Sequence, residues 1–238
     1  MPEVRPKLLD LFCGAGGAAM GYHRAGFEVV GVDLSPQPNY PFEFHQADAM
    51  DVLHHLNGGG VLAGRYYLSN FAAFHASPPC QRYSDLAHRN GNADAWPDLV
   101  GPVRDAFKLA EWMRGCPWAI ENVEGAPLVD PIMLCGTMFP ELRVLRHRLF
   151  ESNRTLSAPA HGHHPLVFTH DKRKAHYGRL DQDTSFVQVT GGGNCSVANA
   201  RDAMGIEWMP TNELNEAIPP AYPDHLGRQL IDAAAGGR

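Results

Sequence analysis

The sequence predicts an α/β fold with a mostly parallel sheet, helices on both faces and a small loop-rich insert. Three observations lead to this prediction. Short apolar runs alternate with helical stretches through the first half of the chain, which is typical of βαβ units. The first apolar run, Lys7–Phe12, ends at a glycine-rich turn, and the second, Glu28–Asp33, ends on an acidic residue. Beyond about residue 150 the periodicity weakens, and histidine, glycine and threonine become common.

The other elements follow in chain order. We predict a helix at Ala18–Ala25, strands at Phe71–Ala76 and Pro117–Val123, and a closing helix at Leu226–Ala234. Between those two strands, apolar residues recur at helical spacing, which predicts an amphipathic helix. Its apolar positions are Leu99, Val103, Phe107, Ala110 and Met113.

The changes in composition and periodicity along the sequence divide the chain into three predicted parts. Residues 1–150 form the main domain, 151–204 a small loop-rich region, and 205–238 a segment that packs back on the main domain. A chain of 238 residues is long enough to bury one sizeable core.

Composition narrows the classes of function. The chain is 44% hydrophobic and 19% charged, which argues against disorder. No apolar run approaches the ~18 residues of a membrane helix, and the first residues lack the apolar stretch of a secretory signal. The five scattered cysteines predict reduced thiols in a cytoplasmic protein. The net charge of −6 disfavours a nucleic-acid binder, although a local basic patch would still allow one.

The glycine-rich turn is the first candidate ligand site. Gly14–Gly17 connects the first strand to a helix, where glycines let a ligand approach the backbone. Asp33 ends the second strand and Asp48 ends a third such segment, and an acidic residue at the end of the second strand can bind a ribose diol. This pattern indicates a nucleoside cofactor. The alternative is tight strand–helix packing with no ligand.

Three further segments carry candidate catalytic groups. Cys80 follows two prolines after a strand, and a cysteine at such a turn could have a lowered pKa and act as a nucleophile. Glu121 ends another strand, where a carboxylate could hydrogen-bond or protonate a substrate ring nitrogen. Arg146 and Arg148 alternate, so on a strand both would face the site. The alternatives are a buried structural cysteine, a helix cap and a solvated basic edge.

Together these segments resemble the DNA (cytosine-5)-methyltransferase family. DLFCGAGG, SPPCQ, ENV and RHR occur in order, and RDAMGIEWMP and NEAIPPAYPDHLGR resemble the closing motifs. The resemblance spans most of the chain except the histidine-rich insert, and its compact form is similar to phage-encoded members. It implies a Rossmann-like class I methyltransferase fold and S-adenosylmethionine as cofactor. It also implies transfer of a methyl group to C5 of a flipped-out cytosine.

The resemblance assigns a role to each motif. Phe12 would stack on the adenine, Gly14, Gly16 and Gly17 would approach the methionine part, and Pro78 belongs with these cofactor-binding residues. Asp33 would take the ribose hydroxyls and Asp48 the adenine edge. For catalysis, Cys80 would attack C6 of cytosine, Glu121 would engage N3 and the exocyclic amine, and Arg148, assisted by Arg146, would hold O2.

The expected macromolecular partner is double-stranded DNA, bound by a monomer. The polar segment Gln81–Leu99 is predicted to be a mobile loop that closes over the DNA, and a basic run in the insert would meet phosphates. The glycine run of the insert would let the protein backbone approach closely, which suits contact with a groove of the DNA. The DNA-binding residues expected are Gln81, Arg82, Ser84, Arg89, Lys172, Arg173, Lys174, Thr190 and Gly191.

The histidines of the insert raise the question of a metal. Their spacing, with Cys195 further on, matches no standard zinc pattern. We therefore predict no metal site and interpret the stretch as a polar loop that faces DNA phosphate. The residues considered are His161, His163, His164, His170, His176 and Cys195.

Two departures from the family pattern leave alternatives open. Val144 stands where the family usually has Gln, and Asn215-Glu216 stands where it has Gly-Asn. An RNA cytosine-5 methyltransferase that acts on tRNA would show the same motifs. A DNA-binding regulator without turnover is the other alternative, although it would need neither Cys80 nor Glu121. A restriction–modification role, in a bacterial host or a phage-infected cell, fits the leading interpretation.

Overall fold

A single sheet forms the centre of the molecule. The structure, a computed structural model, describes residues 4–84, 91–164, 186–190 and 195–236. Seven strands are found in these residues: β1 (Lys7–Leu11), β2 (Glu28–Asp33), β3 (Glu43–Gln46), β4 (Phe71–Ala76), β5 (Trp118–Asn122), β6 (Ile132–Leu134) and β7 (Arg148–Ser152). Their order across the sheet is β3-β2-β1-β4-β5-β7-β6.

The sheet is mostly parallel, which confirms the predicted fold class. β1 to β5 run parallel, and β7 is antiparallel to both of its neighbours, β5 and β6. The chain order reverses between β1 and β4, because β2 and β3 lie on one side of β1 and β4 and β5 on the other. A crevice forms outside the carboxyl ends of the strands at such a reversal, and ligands of open α/β sheets bind there.

Helices cover both faces of this sheet. They are α1 (Gly17–Ala25), α2 (Ala49–Asn57), α3 (Val100–Arg114), α4 (Val197–Met204), α5 (Thr211–Glu216) and α6 (Ala221–Gly236). The last helix begins five residues before its predicted start, since Pro223 lies in the first turn, where no backbone N–H is needed. No helix in the described ranges is long and apolar enough to cross a bilayer.

Alternation along the strands fills a core on each face of the sheet. Leu8 packs in the cluster that contains α1 and α6, and Leu9, its neighbour, packs in the cluster that contains α2 and α3. Both leucines are fully buried, as expected for a strand covered on both sides. The residues from Val197 onward contribute α4, α5 and α6 to the first cluster, so this segment packs against the sheet domain.

A buried ion pair fixes the strand that leads out of the sheet. Arg104 in α3 donates from Nε to Glu151 Oε1 at 2.5 Å and from Nη2 to Glu151 Oε2 at 2.6 Å. Glu151 in β7 also accepts from the Val129 backbone N–H. A bidentate pair of this kind holds a defined geometry. It therefore orients β7 at the point where the chain enters residues 151–204.

Candidate active site at the carboxyl edge of the sheet

The glycine-rich turn after β1 has an unusual backbone. Phe12 has a φ of +55° and Gly14 a φ of +49°. A bulky residue in the left-handed region is strained, and such strain persists where the surroundings impose it, often at ligand sites. The Asp33 carboxylate stabilises the turn by accepting from Gly14 N–H at 3.0 Å and from Ser35 N–H at 2.9 Å. The turn is thus fixed before any ligand binds.

Open space lies beside this turn, and the end of the chain closes its other side. A Cβ atom built on Gly14 would meet nothing within 4 Å, whereas one built on Gly17 would lie 2.5 Å from the Ile218 carbonyl oxygen. Trp208 Nε1 donates to the Ala15 carbonyl at 2.9 Å. Asp48 caps α2 and accepts from the backbone N–H groups of Met50 and Asp51 in its first turn. Sequence reasoning missed the contact from Trp208.

The segment that carries Cys80 is tied to β5 by one side chain. Asn122 Nδ2 donates to the Pro78 carbonyl at 2.9 Å, and Asn122 Oδ1 accepts from the Val123 N–H. Asn122 and Pro78 are buried, so this hydrogen bond has no competition from water. Cys80 itself is partly exposed and precedes a 3₁₀ turn at Gln81–Tyr83. The sequence analysis quoted Asn122 in a motif but gave it no role.

Glu121 and Arg148 form an ion pair next to Cys80. β4 and β5 are parallel neighbours. Cys80, which comes after β4, and Glu121, near the end of β5, therefore lie at the same edge of the sheet. Arg148 begins β7, which runs antiparallel to β5, and its Nε lies 2.9 Å from Glu121 Oε1. Glu121 is 5% exposed. Exclusion of water strengthens this charge pair and fixes the carboxylate in one position.

Burial is the main influence on the pKa of the Cys80 thiol. It raises the pKa of the thiol, Arg148 and Arg146 oppose this rise, and Glu121 adds to it. The prediction that the turn lowers this pKa is therefore wrong. The same interactions place the charged groups of two motifs near the sulfur atom of the third. These groups are brought together as the sequence predicted.

Arg146 lies close by but not on a strand with Arg148. β7 begins at Arg148, so the expected alternation along one strand is wrong. Arg146 is buried and donates to the Val189 and Asn215 carbonyls, each at 2.7 Å. Burial lowers the pKa of its guanidinium to about 9. Its side chain thus joins three parts of the chain, and the Tyr222 hydroxyl donates to its backbone carbonyl.

The segment after Cys80 is only partly described. Arg82 donates to the Trp96 carbonyl at 3.0 Å and lies 3.4 Å from Asp94, and Ser84 donates to the Gln81 carbonyl. Gln81 Oε1 is buried without a hydrogen-bond partner among the described residues. Thr190 is exposed at the end of a short described stretch. The other expected DNA contacts lie outside the described residues: Arg89, Lys172, Arg173, Lys174 and Gly191.

A buried pair behind the turn was not foreseen. Asp10 in β1 and His75 in β4 are register partners, and His75 Nδ1 lies 2.7 Å from Asp10 Oδ1. Both are fully buried. Burial raises the pKa of Asp10, and the hydrogen bond to His75 acts in the opposite direction. Two polar residues within apolar strands were the available signal, and their pairing needed the strand register.

The histidines of the insert are brought together in a way that the sequence did not suggest. His161 and His164 lie with Cys135 and His147, which come from other parts of the chain. His163 is exposed, Cys195 is not in this group, and His170 and His176 lie outside the described residues. The expectation of no metal site considered only the histidines of the insert and Cys195.

Comparison with known proteins identifies the family. A family model described as C-5 cytosine-specific DNA methylase matches residues 6–125, a stretch that holds the glycine-rich turn, Cys80 and Glu121. The chain belongs to this family. A type II methyltransferase of Herpetosiphon aurantiacus, M.HgiGI, is 30% identical over 128 residues, which cover 51% of this chain and 94% of that protein. The resemblance drawn from the sequence motifs is confirmed.

Solved structures share the fold at low sequence identity. A protein described as a DNA modification methyltransferase encoded within an E. coli prophage superposes with a TM-score of 0.60 at 15% identity, covering 97% of this chain and 99% of that one. The Entamoeba histolytica methyltransferase EhMeth gives 0.56 at 12% identity, with 97% and 99% covered. The S. pombe Dnmt2 methyltransferase gives 0.51 at 13%, with 96% and 99% covered. These similarities extend beyond residue 125 to nearly the whole chain.

Proposed function

We propose that this chain is a DNA cytosine-5 methyltransferase that uses S-adenosylmethionine and forms a covalent bond between Cys80 and C6 of the target cytosine. One observation carries the proposal: Cys80 lies at the carboxyl edge of the sheet together with the ion pair that Glu121 Oε1 and Arg148 Nε form at 2.9 Å, in a chain of this family. A protein that only bound DNA would need no nucleophile there. The restriction–modification context belongs to the same proposal.

The residues around the glycine-rich turn fit the cofactor. Gly14 is open on one side, Phe12 is strained, Asp33 accepts from the Gly14 N–H, and Asp48 caps the helix that follows the neighbouring strand β3. In the proposal Phe12 contacts the adenine, Gly14, Gly16 and Gly17 border the methionine part, and Pro78 completes the site. Both Asp33 oxygens already accept amide hydrogens, and each keeps a lone pair for a ribose hydroxyl. When bound, S-adenosylmethionine supplies an electrophilic methyl group.

The catalytic residues act on the flipped cytosine. C5 of cytosine is a poor nucleophile, and addition of the Cys80 sulfur to C6 makes it electron-rich. The S–H bond of Cys80 breaks in this addition, and Glu121 holds the released proton at N3, so charge does not build up on the ring. Arg148 keeps Glu121 in place and holds O2 with donors that Glu121 and the His147 carbonyl do not use. After methylation, loss of the C5 proton to a base lets Cys80 leave by β-elimination.

Arg146 is a positioning residue in this scheme. It donates to two backbone carbonyls, and we propose that it fixes residues 187–190 and α5 beside the catalytic pair. Its positive charge also opposes the burial that raises the pKa of Cys80. Its expected catalytic role is thus exerted through the position of other groups and through its charge.

The DNA-binding surface is proposed on both sides of Cys80. Gln81 has a buried acceptor without a partner in the described chain, which a substrate group would satisfy. Arg82 must leave Asp94 and the Trp96 carbonyl to reach a phosphate. Residues 151–204 act as the target-recognition region, and the chain acts as a monomer on double-stranded DNA. Arg89, Ser84, Thr190, Gly191 and the basic run at 172–174 belong to this proposal.

Sequencing of methylated cytosines tests the function. A plasmid carrying the gene is grown in cells that lack cytosine methylation and is read by bisulfite or enzymatic 5-methylcytosine sequencing. We expect protected cytosines in one short context, and none when the plasmid encodes the Cys80→Ser variant. An unmethylated plasmid, together with transfer of labelled methyl groups to tRNA by the purified protein, would show that the substrate is RNA and not DNA.

A further inference from the structure

Four metal-binding side chains meet at the start of residues 151–204, outside the catalytic pair. Cys135 directly follows β6, His147 lies between the two arginines of the site, and His161 and His164 lie in the stretch that follows β7. One ligand atom from each residue lies within 4.8 Å of every other. These residues are called the four-ligand cluster below.

The distances within the four-ligand cluster are those of a tetrahedral zinc site. His164 Nε2 lies 3.1 Å from His147 Nε2, 3.1 Å from His161 Nε2 and 3.6 Å from Cys135 Sγ. With Zn–N of ~2.0–2.1 Å and Zn–S of ~2.3 Å, tetrahedral angles place two nitrogens ~3.3 Å apart and a nitrogen ~3.5 Å from sulfur. One cation at the centre accounts for all three separations.

Hydrogen bonds cannot account for the same contacts. A neutral imidazole carries one proton, so His164 Nε2 can donate to one neighbour at most. The three atoms that surround it are a thiol sulfur and two imidazole nitrogens, with no carboxylate among them. Without a cation, lone pairs or protons would face each other across about 3 Å. A cation with four lone pairs directed at it removes this conflict.

Two outer groups orient the ligands as at known metal sites. Glu124 Oε1 lies 3.3 Å from His147 Nδ1, which favours the proton on Nδ1 and leaves the Nε2 lone pair facing the cluster. The Thr137 hydroxyl donates to Cys135 Sγ at 3.3 Å, a bond that stabilises a thiolate. These two contacts support a metal site, and this support does not depend on the distances between the four ligand atoms.

We propose that the four-ligand cluster binds one Zn²⁺ as a structural site. Three histidine nitrogens and one thiolate complete a tetrahedron, which is the closed coordination of structural zinc and leaves no position for a reacting water. Binding breaks the S–H bond of Cys135 and releases its proton to solvent. The metal joins the residue after β6, the residue between the arginines and the first residues of the insert.

The consequence for DNA recognition rests on the proposed function, but the metal site does not. The stretch that follows β7 carries His161 and His164, and the ion would anchor it beside Arg146 and Arg148. Recognition contacts would then keep a fixed position relative to Cys80. Within the described residues, no disulfide is present to do this.

Metal analysis of the purified protein tests the proposal without any assay of methyl transfer. The protein is made without a polyhistidine tag, incubated with Zn²⁺ and dialysed against metal-free buffer, and its metals are measured by mass spectrometry. We expect one zinc per chain, and its loss in His161→Ala and His164→Ala. Both residues are exposed, so these variants should fold. His163→Ala and Cys195→Ser are matched controls that should keep the zinc.

Cobalt substitution identifies the ligands. Co²⁺ in place of zinc should give the intense visible bands of tetrahedral cobalt and a thiolate charge-transfer band, and the latter should disappear in Cys135→Ser and remain in Cys195→Ser. A chelator should lower the thermal unfolding midpoint of the wild type and not that of His164→Ala. Substoichiometric zinc in the reconstituted wild type, or equal zinc in His161→Ala, His164→Ala and the controls, would overturn the proposal.

Discussion

The catalytic edge and the four-ligand cluster adjoin at residues 146–148 but are assembled in different ways. The catalytic groups Cys80 and Glu121 each follow or end a parallel strand, so the sheet itself brings them to one edge. The ligands of the cluster come from the residue after β6, the residue before β7 and the stretch after β7, with no shared strand direction. A site at the ends of parallel strands can therefore be located from short sequence motifs alone. A site on irregular segments can be located only when the fold is known.

The two regions also differ in how their charges are balanced. At the catalytic edge, Arg148 neutralises Glu121 at 2.9 Å, and the thiol of Cys80 remains protonated more readily because of burial. In the cluster, Glu124 Oε1 lies 3.3 Å behind His147 Nδ1, on the side away from the other three ligands. The first arrangement is complete and awaits a substrate. The second is complete only with a cation.

The largest effect is expected at the catalytic edge. Cys80→Ser should lower methyl transfer by at least ~10⁴-fold, because serine is a far weaker nucleophile at neutral pH. Zinc content and the thermal midpoint should stay unchanged, and Cys195→Ser should retain activity. Methyl transfer is measured with a labelled donor and plasmid DNA. Substantial activity of Cys80→Ser would show that Cys80 is not the nucleophile.

Glu121→Gln is expected to lower the rate by ~10²–10⁴-fold, since the amide cannot hold a proton at N3. The same variant removes a charge that raises the pKa of Cys80, whereas Arg148→Met removes one that lowers it. The pH midpoint of Cys80 alkylation should therefore fall in Glu121→Gln and rise in Arg148→Met. Shifts in the same direction in both variants would contradict the charge arrangement described.

Asn122→Ala sharpens the comparison by loosening the catalytic segment alone. The Pro78 carbonyl would lose its buried donor, which costs about 1–3 kcal/mol of unfolding free energy. Urea denaturation measures this loss, and the rate of methyl transfer should fall with it. Zinc content should not change. An unchanged rate in a destabilised protein would show that Asn122 supports the fold and not the position of Cys80.

Glu124→Gln is the smallest of these changes and affects the cluster alone. Loss of the carboxylate behind His147 should weaken zinc binding by about 10-fold or more. Competition with a chromophoric chelator measures this affinity, and Glu141→Gln, which also changes an exposed carboxylate, serves as control. Equal affinities in the two variants would mean that Glu124 does not orient the ligand.

The sequence predicts the sheet and the catalytic edge because both depend on local patterns. The bounds of Glu28–Asp33 and Phe71–Ala76 match the observed strands, and Cys80 and Glu121 follow from them. The pairing of Asp10 with His75 required the register of β1 and β4. The position of Arg146 required the contacts of Val189 and Asn215, which are distant in sequence. Ligands separated by 11 and 13 residues, as in the cluster, form no recognisable spacing.

Trapping of the covalent adduct tests the central claim most directly. DNA carrying 5-fluorocytosine at the methylated position lacks the C5 proton, so Cys80 cannot leave by β-elimination after methyl transfer. With S-adenosylmethionine, the wild type should form a protein–DNA complex that survives denaturant, attached through the peptide that contains Cys80, and Cys80→Ser should form none. A wild type that methylates ordinary DNA yet gives no such complex, or a complex that persists in Cys80→Ser, would contradict the account.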